Sequence, residues 1–128
     1  MIDHPSTIGE KLYNRRLELG LLQSEMAKIF DVCSDTITNW ENNRGGPQIQ
    51  LYPKIIRFLE YLPIKIDIST LGGRIKEYRY LNGLSQEQLA YQLGVNESTI
   101  FHYENGKHKP TTKTARKIIS LLKDRRVF

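Results

Sequence analysis

The sequence predicts an all-α protein built from two copies of one small helical unit. When the 128-residue sequence is shifted by 63 positions against itself, residues 7–63 match the second half without a gap and share seventeen identical positions. Each copy also carries four short apolar stripes with helical spacing. A duplicated unit of about sixty residues fits two small domains better than a solenoid. We therefore place one domain at residues 1–63 and the other at residues 64–128.

Each stripe predicts one short helix, so every domain should contain four to five. In the first copy the stripes are Ile8, Leu12, Arg16 and Leu19; Met26, Ala27 and Phe30; Ile37, Trp40 and Glu41; and Tyr52, Ile55, Ile56 and Leu59. In the second copy they are Leu71, Ile75 and Arg79; Leu89, Ala90 and Leu93; Ile100, Tyr103 and Glu104; and Ala115, Ile118, Ile119 and Leu122. Between the copies, residues 63–69 alternate isoleucine with polar residues, which predicts an extended linker.

Charged residues interrupt two stripes at the same places in both copies. Arg16 and Glu41 lie on apolar faces, and Arg79 and Glu104 have the same separation of 25 residues. An unpaired buried ion costs several kcal/mol, so each arginine should pair with the glutamate of its own copy. We interpret both as structural ion pairs that fix the first helix of each copy against the third.

The second and third stripes are separated by only a few residues, FDVCS in one copy and LGVNE in the other. A short helix, a tight turn and a second helix form a helix-turn-helix motif, whose second helix lies in the major groove. The stretch LSQEQLAYQLGVNESTIFHYENGKHKP resembles the lambda-repressor-like family, also called Cro/C1 or XRE-type. The resemblance spans nearly all of both copies and implies two tandem domains of this fold, which bind double-stranded DNA.

The resemblance also implies which positions contact DNA. Gln23 and Gln86 match the glutamine that opens the second helix and binds a phosphate. The positions that match base-reading residues on the third helix are Ser34, Asp35, Thr38 and Asn39 in the first copy, and Glu97, Ser98, Phe101 and His102 in the second. The loop that follows is expected to contact the DNA backbone through Asn42 and Arg44, and through Asn105, Lys107 and Lys109.

The chemistry of these base-reading positions is mixed. Asn39 can donate and accept in one plane, as adenine requires, whereas Phe101 can cover a thymine methyl group and His102 can donate to guanine. A carboxylate in the groove accepts only from cytosine and repels phosphate. Asp35 and Glu97 therefore fit better as residues that stabilise a helix N-terminus.

The helix ends predict that the second copy is the better formed. Ser85 and Gln88 form a capping box, Gly94 supplies the turn and Asn96 can cap the third helix. The first copy has Leu22, Asp31 and Cys33 where the second has Ser85, Gly94 and Asn96, although Ser34 could shift the cap by one residue. We expect the third helix of the first copy to be the less well defined.

The excess positive charge lies in the second copy. Residues 1–63 carry seven Lys and Arg against eight Asp and Glu, whereas residues 64–128 carry twelve against six. A phosphate-binding rim is expected from Lys107, Lys109, Lys113, Arg116 and Lys117, against Lys11, Arg15, Arg44 and Lys54 in the first copy. The second copy should supply most of the electrostatic affinity. The first copy then reads a weaker subsite, or packs against the second copy or another chain.

Other classes of protein find little support in the sequence. The single cysteine, Cys33, rules out a disulfide framework, and His4, His102 and His108 lack the spacing of metal ligands. No cofactor is expected, and no catalytic constellation indicates an enzyme. The absence of a signal-like start and of a long apolar run favours a cytoplasmic protein with no membrane contact.

These features predict sequence-specific binding of double-stranded DNA by a transcriptional regulator. The alternative is an antitoxin-like or assembly protein whose first copy is a protein-interaction module, with a partner protein or self-association. Trp40 and Tyr103 are expected to be core aromatics. The C-terminal KDRRVF is either a solvated tail or an arm that contacts phosphates.

Overall fold

The computed structural model describes residues 1–123, and its chain divides into two compact units with the boundary after Pro63. The segment KDRRVF spans residues 123–128. Only its first residue, Lys123, is described, so the prediction for this segment lies outside the described residues. Within residues 1–123 the secondary structure is eight α-helices and one 3-10 helix, without a strand. The prediction of an all-α fold is confirmed. No helix in this part of the chain is both long and apolar enough to cross a membrane.

The first unit packs four α-helices around one apolar core. These are α1 (Ile8–Glu18), α2 (Gln23–Phe30), α3 (Ser34–Glu41) and α4 (Tyr52–Leu59), with the 3-10 helix Ile49–Leu51 directly before α4. Phe30 is fully buried and contacts Trp40 and Phe58 edge to face, at centroid distances of 5.8 and 5.3 Å. Because Phe30, Trp40 and Phe58 lie on three different helices, these ring contacts join α2, α3 and α4.

The second unit repeats this arrangement with its own core. Its helices are α5 (Leu71–Asn82), α6 (Gln86–Leu93), α7 (Glu97–Glu104) and α8 (Thr112–Lys123). The buried cluster consists of Ile75, Leu89, Ala90, Leu93, Ile100, Tyr103 and Ile118. Trp40 and Tyr103 are both buried at equivalent positions, which places these aromatics in the cores.

The glycine shared by both copies near the start of the first helix lies at a close helix contact. A methyl group on Gly9 would collide with the carbonyl oxygen of Trp40, and one on Gly72 would collide with that of Tyr103. The backbone of α1 therefore touches the C-terminal turn of α3, and α5 touches α7 in the same way. This contact holds the third helix of each unit in place.

The helix ends correct part of the prediction about caps. Ser85 and Gln88 form the expected capping box, and Gly94 has the left-handed conformation with φ of 70°. Asn96, however, makes no side-chain cap at α7, and Cys33 makes none at α3. The first turn of α3 and the first turn of α7 therefore form without a hydrogen bond from an N-cap side chain. Both third helices are eight residues long. That the third helix of the first copy is the less well defined stays a prediction.

The linker corrects a second expectation. Residues 68 and 69 form a turn and residue 70 a bend, so the linker is not extended at its C-terminal end. The Asp67 carboxylate accepts from the backbone N–H and the hydroxyl of Ser69, at 3.0 and 2.6 Å. These hydrogen bonds lower the pKa of Asp67. The polar residues of the linker thus form a local turn that leads into the Thr70 cap of α5.

Candidate nucleic-acid interface

Helices α2 and α3 form a helix-turn-helix in the first unit, and α6 and α7 form one in the second. The turn begins at a left-handed residue in both, Asp31 with φ of 56° and Gly94 with φ of 70°. A backbone hydrogen bond of 3.0 Å then closes each turn, from Val32 to Ala27 and from Val95 to Ala90. Aspartate tolerates the left-handed conformation, so the loss of glycine at position 31 leaves the turn intact.

A bidentate ion pair joins α1 to the end of α3. Arg16 donates from Nε to Glu41 Oε2 at 2.7 Å and from Nη2 to Glu41 Oε1 at 3.0 Å, and both side chains are almost buried. Its Nη1 donates to the carbonyl of Leu21 at 2.9 Å. Hydrogen bonding to Glu41 raises the pKa of Arg16. This pair fixes the C-terminal turn of α3 and the chain that enters α2.

The second unit contains the equivalent pair. Arg79 Nη2 donates to Glu104 Oε1 at 2.9 Å, Nε donates to the other carboxylate oxygen, and Nη1 donates to the carbonyl of Leu84 at 3.2 Å. The side chains of Arg79 and Glu104 are only 7 % and 6 % exposed. Every donor that faces the interior is satisfied, as a buried ion requires.

Each ion pair also holds the glutamine that opens the second helix. Gln23 Nε2 donates to Glu41 Oε1 at 3.0 Å, and Gln86 Nε2 donates to Glu104 Oε1 at 3.3 Å. In the first unit the Thr38 hydroxyl also donates to Gln23 Oε1 at 3.0 Å. An amide nitrogen carries two hydrogens, so each glutamine retains one that can donate to a phosphate.

Most of the predicted base-reading side chains are exposed on the third helices. The exposed set is Ser34, Asp35 and Asn39 in the first unit, and Glu97, Ser98 and Phe101 in the second. Thr38 is half-buried, and its hydroxyl donates to Gln23 or to the Ser34 carbonyl. Its single hydrogen is therefore used within the unit, so Thr38 can offer a base only its hydroxyl oxygen and its methyl group.

His102 is held in one position on α7. Its ring is half-buried and packs against His108, with 4.8 Å between centroids, and against Phe101 at 5.6 Å. The Nδ1 atom of His102 is buried and has no hydrogen-bond partner. Protonation of Nδ1 would bury an unsatisfied N–H, so Nε2 is the nitrogen suited to donate outward.

The acidic residues and Cys33 lie at the starts of the third helices. Asp35 and Glu97 are exposed in the first turns of α3 and α7, where the helix dipole stabilises negative charge. Cys33 occupies the cap position of α3, and its Sγ lies 3.2 Å from the Thr36 hydroxyl oxygen. Hydrogen bonding to Thr36 lowers the pKa of this thiol.

The loops after the third helices present amides and cations. Asn42 and Asn105 each donate from Nδ2 to a carbonyl of the last helical turn, at 2.8 Å. Arg44, Lys107 and Lys109 are exposed in these loops. Lys107 Nζ lies 5.7 Å from the centroid of the Phe101 ring, in cation–π contact. The second unit therefore places a cation beside the aromatic residue that is predicted to read bases.

Comparison with known proteins identifies the family of this fold. The family described as Helix-turn-helix matches residues 75–123. An uncharacterized HTH-type transcriptional regulator of Methanocaldococcus jannaschii is 49 % identical over 48 residues, which are 38 % of this chain and 73 % of that protein. The chain belongs to the helix-turn-helix family of transcriptional regulators.

Two further relatives are uncharacterized regulators of the same kind. Both are HTH-type transcriptional regulators of Archaeoglobus fulgidus, 44 % and 47 % identical over 45 residues. The match covers 35 % of this chain and 64 % and 63 % of the two relatives. No solved structure matches.

Sequence reasoning missed three contacts in this helix-turn-helix regulator. Thr38 orients Gln23, His108 packs on His102, and Lys117 Nζ donates to the Leu93 carbonyl at 3.4 Å. The last contact joins Lys117, a residue of the predicted phosphate rim, to the C-terminus of α6. The repeat alignment does show that Thr38 is replaced by Phe101 in the second copy, but spacing alone does not reveal side-chain reach.

The regulator has no built metal site in the part that the structure describes. Among residues 1–123 no three His, Cys, Asp or Glu side chains lie close enough together to hold a metal ion. His102 and His108 face each other with an interplanar angle of 41°. This ring-on-ring contact packs the two side chains together, whereas a chelating pair directs two nitrogen lone pairs at one point.

Proposed function

We propose that this regulator binds double-stranded DNA in a sequence-specific manner through two tandem helix-turn-helix units. The observation that supports this is the repeated assembly at the start of the second helix. In both units a buried Arg–Glu pair holds a glutamine amide at that helix N-terminus, beside an exposed third helix. A fixed amide beside a helix N-terminus suits a phosphate and sets the register of the third helix in the groove.

The base-reading roles follow from the exposed chemistry of the third helices. In the second unit, Phe101 suits a thymine methyl group and His102 donates to guanine through Nε2. In the first unit, Asn39 suits adenine. Ser34 and Ser98 suit several bases, so they add little discrimination.

The two units contribute unequally to affinity. The excess cations lie in the second unit, whose loop exposes Lys107 and Lys109, while the first loop exposes only Arg44 at the matching positions. Phosphate contacts supply the salt-dependent part of DNA binding. The second unit therefore anchors the chain, and the first extends the recognised site.

The test is selection of bound duplexes from a random pool at about 150 mM salt, with the full chain beside His102→Ala and Asn39→Ala. We expect the full chain to enrich two linked subsites, with each variant losing preference at one base position in its own subsite. His102→Ala should cost about 1–3 kcal/mol on the preferred site.

The outcomes separate the parts of the proposal. A pool that enriches no sequence would exclude specific DNA binding. Enrichment of one short subsite, unaffected by Asn39→Ala, would exclude base reading by the first unit. An unchanged preference in His102→Ala would exclude the placement of α7 in the groove.

A protein-interaction role for the first unit is the second candidate. The observation that favours it is a group of exposed aliphatic side chains in that unit, Leu17, Leu19, Leu22 and Ile29. Exposed apolar side chains that form a contiguous patch mark surfaces that other proteins cover.

A further inference from the structure

Two exposed aliphatic residues of α2 stand where the second unit has polar ones. Leu22 is 65 % exposed and Ile29 is 46 % exposed. At the equivalent positions the second unit has Ser85 and Gln92. The duplicated sequence is an internal comparison, because the same fold is built with and without these apolar side chains.

Leu22 also breaks a local rule of helix structure. It occupies the N-cap of α2 and makes no side-chain cap, whereas the Ser85 hydroxyl caps α6. An exposed leucine at this position therefore gives up a stabilising hydrogen bond without being buried within the unit. Residues that break local rules in this way are expected at functional surfaces.

Leu22 and Ile29 lie on one face of α2. They are seven residues apart, which is two helical turns and about 10 Å along the axis. Ile29 lines a surface groove of about 300 Å³ together with Lys54, Arg57 and Phe58 of α4. The face thus has a projecting leucine at one end and an apolar recess with two cations at the other.

An acidic group lies beside the projecting leucine. The carboxylate of Glu25 accepts the backbone N–H of Leu22 at 2.8 Å, which keeps it next to that residue. Leucine with a carboxylate at one end therefore complements isoleucine with Lys54 and Arg57 at the other. In the second unit Gln88 and Ser120 replace Glu25 and Arg57, so the carboxylate and one of the two cations are missing there. Lys117 stands at the position of Lys54, so the other cation is retained.

We propose that two copies of this chain associate through the α2 faces of their first units, related by a two-fold axis. Leu22 of each copy enters the groove beside Ile29 of the other, and Glu25 then meets Lys54 and Arg57 across the interface. A two-fold axis makes each contact twice, which is the self-complementarity that an isologous interface requires.

The size of the face sets the strength of the association. Two aliphatic side chains and a shallow groove fall well short of the roughly 800 Å² per partner that a stable interface buries. Association is therefore weak and reversible. Contacts of this size become significant when two chains are already held close together, because the effective concentration is then high.

The test is sedimentation equilibrium of the full chain without DNA, from about 10 μM to about 1 mM. We expect concentration-dependent dimers, and association at least tenfold weaker in Leu22→Ser and in Ile29→Gln, which introduce the residues of the second unit. Tyr91→Lys is the matched control, since it removes an 88 % exposed aromatic from α6 and introduces the residue of the first unit. This control should associate like the unmodified chain.

A charge exchange tests the proposed contact directly. Glu25→Lys should weaken association, and the double variant Glu25→Lys/Arg57→Glu should restore part of it, because the introduced glutamate attracts the introduced lysine while Lys54 still repels it. Circular dichroism verifies that each variant is folded. Three outcomes would overturn the proposal: a chain that stays monomeric throughout, Leu22→Ser and Ile29→Gln variants that associate as strongly as the unmodified chain, or a loss of association in Tyr91→Lys as large as theirs. Since no DNA is present, these results are independent of the proposed function.

Discussion

Gly9 sets how closely α1 can approach α3. A methyl group at this position collides with the backbone of Trp40, and a backbone carbonyl cannot rotate away as a flexible side chain can. Gly9→Ala should therefore destabilise the first unit by about 1–3 kcal/mol, as overpacking does. Urea unfolding followed by Trp40 fluorescence measures this, because the only tryptophan lies in that unit. Gly46→Ala is the control, since its added methyl group meets only ordinary contacts, and an equal loss there would contradict the explanation.

Leu22 offers a second prediction at the scale of one residue. Glu25 already accepts the Leu22 N–H, so Leu22→Ser would complete a capping box like that of Ser85. We expect the first unit to gain about 0.5–2 kcal/mol, again measured by urea unfolding with Trp40 fluorescence. Leu22→Ala removes the leucine without adding a cap and should give no gain. A gain of equal size in both variants would attribute the effect to lost hydrophobic exposure.

At the scale of the helices, the buried ion pair decides how α5 and α7 stay together. Arg79→Leu leaves Glu104 buried without its partner, which should cost about 3–5 kcal/mol in the second unit. The double variant Arg79→Leu/Glu104→Leu removes both charges and should recover most of this loss. Thermal unfolding followed by circular dichroism compares the variants. A double variant as unstable as Arg79→Leu would show that the pair stabilises the unit by its charge rather than by its geometry.

Repetition and spacing predicted the helices, the two copies and the facing positions of Arg79 and Glu104, because apolar periodicity reports directly which side of a helix is buried. The caps were predicted less well. Asn96 was expected to cap α7, but N-cap preference is a statistical tendency and the backbone turn forms without that contact. The spacing of residues in the sequence does not show which atoms a side chain reaches, so two contacts could not be predicted. Thr38 and Lys117 each donate a hydrogen bond to a residue on another helix.

At the scale of the whole chain, charge is distributed unevenly between the two halves. The first half is nearly neutral, whereas the second half holds the excess of cations. Exposed aliphatic residues occur in both halves, among them Leu22 and Ile29 in the first and Ile68 and Ile119 in the second. We propose that electrostatic affinity for DNA belongs mainly to the second unit and self-association to the first. A substitution in one unit should therefore leave the contribution of the other unit unchanged.

The phosphate contacts proposed for the second unit can be tested at Lys107. Its ammonium group lies beside Phe101 and outside the core, so Lys107→Ala should weaken binding to all duplexes alike without changing the preferred sequence. Each phosphate contact contributes about one unit to the slope of log K against log salt concentration, so the slope should fall by about 1. Fluorescence anisotropy titrations from about 50 to 200 mM salt measure both quantities. Tyr91→Lys changes the net charge by one unit at a site outside this loop, so it shows how far the slope responds to net charge alone. A slope unchanged by Lys107→Ala would place this loop away from the DNA backbone.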